Sequence, residues 1–205
     1  MVPLTQNDYS ILLWAHSKDT PTHISYANYI RTFGNTTPTH FPRLVKMNQG
    51  CICYFLTRTD PLTPIVVYSF QNNQYVQTTT IPGTTFGDKY QYVFIHFDVH
   101  GVYQWHVRIV LKTLNRSVPD PIYAIAHENG ELTISVLNQS LTDILVYNQD
   151  TSTTILPNCY NVYIRLNNEG NYRWSTKYDA LLSLEKMDGT LASYSNNTFF
   201  ANHVY

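Results

Sequence analysis

Charged side chains are scarce in this 205-residue chain, at 13% of all residues, against a usual share of about 25%. Its 13 Lys and Arg nearly balance its 14 Asp and Glu, which gives a formal net charge of −1. A protein that binds nucleic acid needs clustered excess Lys and Arg to release counterions from phosphates. We therefore expect no nucleic-acid partner, and we expect neutral hydroxyl and amide groups to supply the solubility.

Cysteine and long apolar runs are also scarce. Cys51, Cys53 and Cys159 are odd in number, and their spacing does not match a zinc site, so reduced thiols are expected. No apolar run approaches the ~18 residues that a membrane-spanning helix needs. Residues 1–20 lack the basic start of a signal peptide. The sequence thus predicts no metal, no cofactor and no membrane span.

Motifs of common enzyme classes are missing as well, because neither a glycine-rich phosphate loop nor a Gly-x-Ser-x-Gly turn occurs. A small hydrolase or phosphoesterase would use His23, His96 or His106, and it requires two of them to meet in one cleft. His96, Asp98 and His100 alternate along one strand, in a spacing that matches no known ligand pattern. We expect this row to be a solvated polar face.

β-branched and aromatic residues dominate, and turn residues recur at short intervals, which predicts an all-β domain of about ten strands. The clearest alternation of side chains runs over 90–100 and resumes over 103–111. Period 2 over such lengths predicts two long strands, each with one buried face. His100-Gly101 and Asn129-Gly130 predict hairpin turns.

One helix is predicted near the C-terminus. Ser175 or Thr176 can cap it, Asp179 falls in its first turn, and Gly189 stands where a helix ends. Residues 189–205 are predicted to form a polar tail. No repeat or linker divides the chain, so we expect a single domain over residues 1–205 with its core at about 8–188.

The tryptophans and the abundant neutral polar residues suit a carbohydrate partner. Trp105 alternates with core positions and is predicted to be buried, whereas Trp174 is predicted to be partly exposed. Aromatic rings offer flat apolar faces to sugar C–H surfaces. Asn, Gln, Thr and Tyr supply neutral hydrogen-bond donors and acceptors.

The segment PIYAIAHENGE at 121–131 resembles a hairpin in the trypsin-released, glycan-binding head of the rotavirus outer-capsid spike protein. Further segments resemble strands of that family in the same chain order; they lie at 8–13, 66–70, 92–99 and 159–164. The resemblance implies a galectin-like antiparallel β-sandwich with a short C-terminal helix. It also implies a place on the virion surface, attachment to host cells, and two partners: a cell-surface glycan or receptor, and the rest of the spike.

The resemblance and the polar pattern together supply the candidate glycan-binding residues. Tyr147, Asp150 and Ser152 match the family's sugar-contacting segment in part, and Trp174 is the stacking candidate. A second polar row, expected on the open face of a sheet, consists of Gln104, His106 and Arg108. The cation that would bind a sialic-acid carboxylate has no clear counterpart, so we expect a neutral glycan.

Two alternatives stay open at this point. For Tyr147, the alternative is an ordinary cross-strand aromatic. For the whole chain, the alternative is a structural or protein-binding β-domain, which would present a contiguous apolar face. A glycan site would instead present a polar groove with one or two rings.

Overall fold

A computed structural model describes most of the chain. The described residues are 9–16, 24–32, 42–58, 64–71, 74–83, 90–111, 122–137, 143–149, 152–157, 161–178, 182–185, 191–195 and 198–202. They form antiparallel strands and contain no helix, which confirms the predicted all-β class. Accordingly, they contain no helix that could cross a membrane.

The strands are numbered in chain order. They are β1 (Tyr9–His16), β2 (Ile24–Thr32), β3 (Arg43–Met47), β4 (Gly50–Arg58), β5 (Ile65–Gln71), β6 (Gln74–Ile81), β7 (Tyr90–Phe97), β8 (Tyr103–Leu111), β9 (Ile122–Ala126), β10 (Leu132–Leu137), β11 (Ile144–Asn148), β12 (Ser152–Leu156), β13 (Asn161–Leu166), β14 (Tyr172–Tyr178), β15 (Leu182–Glu185), β16 (Leu191–Ser195) and β17 (Thr198–Asn202). The sequence predicted neither β3 and β12 nor the three C-terminal strands β15, β16 and β17.

A six-stranded sheet in the order β12-β11-β8-β7-β4-β3 occupies the centre of the fold, between two four-stranded sheets. One outer sheet has the order β14-β13-β10-β9, and the other has the order β1-β2-β5-β6. A small sheet is formed by β15, β16 and β17. Within each sheet every described strand pair is antiparallel, as the alternating sequence pattern favours.

Apolar side chains fill both faces of the central sheet. On one face, Phe94 and Val107 pack in a cluster with Ile134 and Ile164 of the β14-β13-β10-β9 sheet. On the other face, a second cluster joins residues of β4 and β7 to residues of the β1-β2-β5-β6 sheet; its members include Phe55, Val93, Ile95, Ile30, Ile65, Val67 and Ile81. The central sheet is therefore the middle layer of three.

The predicted burial of β7 and β8 on a single face is wrong. From residue 91 to 97 and from 105 to 111, every side chain is buried. His96 and His106 are among them, so they do not belong to a solvated polar face. The reason is that a strand in the middle layer has a packed neighbour on each side, which periodicity within one strand does not reveal.

The predicted C-terminal helix is not confirmed. Ser175 and Thr176, the proposed caps, lie inside β14 and pair with Ile164 and Tyr163 of β13. The hydroxyl of Ser175 lies 2.9 Å from that of Tyr172. Pairing with β13 satisfies the backbone of this segment and prevails over the capping preference. Strands β15, β16 and β17 occupy much of the remaining segment that was predicted to be a helix and a polar tail.

Candidate functional site

Three hairpin turns of one geometry close the pairs β7–β8, β9–β10 and β13–β14. They span residues 98–102, 127–131 and 167–171. In each turn of five residues, the N–H of the first residue donates to the carbonyl of the fifth at 2.9 Å. The N–H of the fourth residue donates to the carbonyl of the first at 3.0 Å. The fourth residues, Gly101, Gly130 and Gly170, all have positive φ. Each is a type I turn followed by a glycine bulge. The turns at 98–102 and 127–131 lie where the sequence predicted hairpins.

In two of these turns, the side chain of the first residue fixes the backbone. The Oδ1 of Asp98 accepts hydrogen bonds from the N–H groups of His100 and Val102, at 2.9 and 2.8 Å. Asn167 occupies the same place in its turn, and its Oδ1 accepts from Glu169 and Asn171 at 3.0 and 2.8 Å. These Asx-type bonds hold the turn backbones in one conformation.

The three turns meet the β3–β4 and β11–β12 turns around a cleft. Its larger cavity, of about 400 Å³, is lined among the described residues by Gln49, His96, Asp98, Gln104, Trp105, Gln149, Asn168 and Glu169. A smaller cavity of about 150 Å³ is lined by Met47, Asn48, Gln49, His96, Glu128, Asn129, Gly130 and Asn168. The side chain of Asn48 donates to the backbone carbonyl of Glu128 and thereby joins two turns.

The chemistry of this cleft is dominated by carboxamides. The side chains of Asn and Gln supply neutral donors and acceptors in both cavities, and Asp98, Glu128 and Glu169 add carboxylates. Among the described lining residues there is neither Lys nor Arg. An arrangement of this kind hydrogen-bonds hydroxyl and amide groups, and it disfavours anions.

His96 lies where the two cavities adjoin. Its side chain is only 7% exposed, its ring centre is 5.1 Å from that of Trp105, and neither ring nitrogen has a well-formed hydrogen bond. Burial lowers the pKa of His96, although the backbone carbonyl of Gln49 and the carboxylate of Asp98 act in the opposite direction. The imidazole is therefore neutral at pH 7 and offers one donor and one acceptor.

Trp105 forms the wall behind His96. It is 3% exposed, and its indole N–H donates to the carbonyl of Asn168 at 2.9 Å. Gly170 allows this contact, because a Cβ at that position would lie 2.7 Å from the indole ring. The burial predicted for Trp105 is confirmed, and the same residue positions the β13–β14 turn beside the cleft.

Of the predicted site residues whose side chains the structure describes, only Gln104 lies in the cleft. Gln104 lines the larger cavity, and its Nε2 donates to the Oδ2 of Asp98 at 2.9 Å. His106 and Arg108, by contrast, are buried on the opposite face of the central sheet from Trp105. The predicted polar row on an open face is therefore wrong beyond Gln104. That face is covered, and Arg108 donates there to the carbonyls of Pro82 and Gly83, which follow β6.

The remaining candidates lie elsewhere. The guanidinium of Arg108 stacks over the half-buried ring of Tyr147 at 4.6 Å, so Tyr147 makes a cross-strand contact. Trp174 is half-buried, as predicted, and Arg165 lies 6.0 Å from its ring centre. It does not line either cavity. Asp150 and the side chain of Ser152 lie outside the described residues.

The histidines do not converge within the described part of the chain. His96 packs beside Trp105, whereas His106 contacts the hydroxyl of Tyr103 at 2.7 Å on the opposite face of the central sheet. His23 lies outside the described residues. The described residues also form no group of three or more His, Cys, Asp or Glu that could hold a metal ion. Cys51 and Cys53 carry reduced thiols.

Sequence reasoning missed Gln49, Gln149 and Asn168 as cleft residues, and it expected His96 to lie on a solvated polar face. Three of these four lie in turns, which appear in the sequence only as short polar breaks. The sequence predicted hairpins at His100-Gly101 and Asn129-Gly130, but only the order of the strands shows that their turns adjoin. Neither a protein-family model nor a curated protein sequence matches this chain.

Proposed function

We propose that this domain is a non-catalytic carbohydrate-binding head, and that its carboxamide-lined cleft binds an uncharged glycan. The observation that carries the proposal is the set of side chains in the larger cavity, which combines neutral amides with the rings of Trp105 and His96. Its volume of about 400 Å³ falls in the usual range for small-molecule sites, about 300–1,000 Å³.

Hydroxyl groups of a sugar need partners that both donate and accept. Gln49, Gln104 and Gln149 each carry both functions on one side chain. Gln104 is held by Asp98, and Asp98 is held by its own turn. Such fixed groups lose little conformational entropy on binding, which favours affinity.

Charge supports a neutral ligand. Asp98 and Glu169 line the larger cavity, and Glu128 lines the smaller one. A sialylated or sulfated sugar would bring its anion close to these carboxylates without a cation from the described lining. The cost of such like-charge contact is steep in a partly desolvated site.

The resemblance to the rotavirus spike head extends this proposal to a biological setting. It supports a domain on the outer capsid that attaches the virion to a host cell, with the rest of the spike as its second partner. The packing of the central sheet against the β14-β13-β10-β9 sheet is compatible with a galectin-like sandwich.

A glycan-array screen tests the proposal, with and without a chelator. We expect specific binding of uncharged glycans that survives chelation. The variant Gln104→Ala should weaken binding about tenfold, equivalent to ~1.4 kcal/mol. Gln77→Ala is the matched control, because Gln77 is an exposed glutamine on β6 of another sheet, and it should bind like the wild type.

Four results would contradict the proposal. They are no specific glycan binding at all, equal losses of affinity in Gln104→Ala and Gln77→Ala, a preference for sialylated over uncharged sugars, and binding that requires a metal ion. A protein receptor would then become the leading explanation, and the exposed Val99 and Val102 of the β7–β8 turn would be its first candidate contacts.

A further inference from the structure

The two cavities of the cleft are not separate. They share Gln49, His96 and Asn168 as lining residues, so they adjoin along one wall. The larger cavity is lined by Asp98 of the β7–β8 turn and by Asn168 and Glu169 of the β13–β14 turn. The smaller one extends from the shared wall to Glu128 and Asn129 of the β9–β10 turn. A molecule in the larger cavity therefore has a second cavity directly beside it.

Size separates the roles of the cavities. The smaller one measures about 150 Å³, which corresponds to about five water molecules at ~30 Å³ each. This is below the usual ~300 Å³ of an independent small-molecule site. Taken alone, the small cavity is too small to be a separate binding site. As an extension of the larger cavity it can hold a protruding part of the same ligand.

The small cavity is also built from fixed polar groups. Asn129 donates to the carboxylate of Glu131 at 3.0 Å, and its Oδ1 accepts from the N–H of Glu131 at 3.1 Å. Asn48 is held by the carbonyl of Glu128. The buried side chain of Met47 supplies an apolar surface. Hydroxyl or amide groups next to an apolar sugar face match this lining.

From these observations we infer that the small cavity is a second subsite, and that the ligand is an uncharged oligosaccharide of at least two sugar units. One unit occupies the larger cavity, and the next one directs a substituent past His96 toward the β9–β10 turn. This inference rests on the proposed function, because it assumes that the larger cavity binds a sugar.

Alanine variants of two glutamates form a matched pair for the test. Glu128 and Glu169 are both exposed residues in hairpin turns. Glu128 lines only the small cavity, whereas Glu169 lines only the larger one. Their replacement by alanine leaves the turn glycines in place, so both variants should fold. A second small-cavity variant, Asn48→Ala, removes the side chain that joins the two turns.

The experiment compares monosaccharides with disaccharides by titration calorimetry. The probes are galactose, glucose and N-acetylglucosamine beside lactose, cellobiose and chitobiose, together with the strongest glycan on the array and its terminal monosaccharide. In the wild type we expect at least one oligosaccharide to bind about tenfold more tightly than its own unit. Glu128→Ala should remove this advantage and leave the monosaccharide affinity unchanged, whereas Glu169→Ala should weaken both sugars.

The outcomes separate the two proposals. If Glu169→Ala weakens binding but Glu128→Ala and Asn48→Ala leave the oligosaccharide affinity unchanged, the second subsite does not exist and the glycan function stands. If every oligosaccharide binds no better than its unit, the inference is likewise overturned. If none of the probes binds at millimolar concentration, the proposed function fails and the inference fails with it.

Discussion

At the scale of single residues, the most unusual group is a neutral imidazole inside a polar cleft. His96 is enclosed between the aromatic wall of Trp105 and the β3–β4 turn, and the carboxylate of Asp98 acts to raise its pKa against the effect of burial. Burial disfavours the charged form of a histidine, since the imidazolium ion loses its hydration. Protonation of this side chain therefore competes with the packing that forms the cleft.

His96 should make the fold sensitive to acid. In the unfolded chain the pKa of a histidine is about 6.5. In the folded chain, burial lowers the pKa of His96. As the pH falls through 6.5, the unfolded chain takes up a proton that the folded chain does not, so the free energy of unfolding decreases. It should be highest above that pH. Urea titrations from pH 8 to pH 5 should show a flatter dependence in His96→Gln than in the wild type.

The exposed His100 of the neighbouring turn provides the control for this measurement. His100→Gln should keep the pH dependence of the wild type. Identical pH profiles for His96→Gln and the wild type would show that His96 does not resist protonation in the folded state.

At the scale of elements, the hairpin turns do two things at once. Each reverses the chain with a glycine of positive φ, and each contributes side chains to the cleft. The turn at 167–171 differs from the others because its glycine packs against the indole of Trp105. Its conformation is therefore set by tertiary contact as well as by local geometry.

Two glycine substitutions should separate these contributions. Gly130→Ala places a Cβ 3.3 Å from the Cβ of Asn168, so its main cost is the left-handed backbone, about 1–2 kcal/mol. Gly170→Ala has the same backbone cost and also forces its Cβ against Trp105, which adds about 1–3 kcal/mol of overpacking. Urea unfolding should rank the variants in this order. Equal losses would mean that the Trp105 contact is absent in solution.

At the scale of the whole molecule, stability depends on a sheet that is buried on both faces. Phe94 belongs to the cluster on one face, and Phe55 belongs to the cluster on the other. The two clusters share no residue among those described. A simple two-layer sandwich would expose one face of the same sheet to solvent.

Truncation of either phenylalanine should therefore be severely destabilising. Phe94→Ala and Phe55→Ala should each lower the free energy of unfolding by about 3–5 kcal/mol, the usual range for a fully buried phenylalanine. Tyr123→Ala serves as control, since that ring is 54% exposed on β9, and should cost much less. A small effect of Phe55→Ala alone would show that the β1-β2-β5-β6 sheet does not cover that face in solution.

The sequence by itself determined the class of the fold and the place of most strands, because alternation and turn chemistry act locally. The span of β8, 103–111, and the hairpin at Asn129-Gly130 follow from a few neighbouring residues. The burial of Trp105 could be predicted for the same reason.

Tertiary structure decided the rest, since it depends on contacts between distant segments. His106 and Arg108 are buried, and Arg108 donates to the carbonyls of Pro82 and Gly83, which follow β6. Pairing with β13 keeps Ser175 in a strand. The cleft brings together Gln49, Gln104 and Asn168, which lie far apart along the chain. Their meeting requires the order of strands in two packed sheets, and that order arises from long-range pairing, which no short sequence pattern encodes.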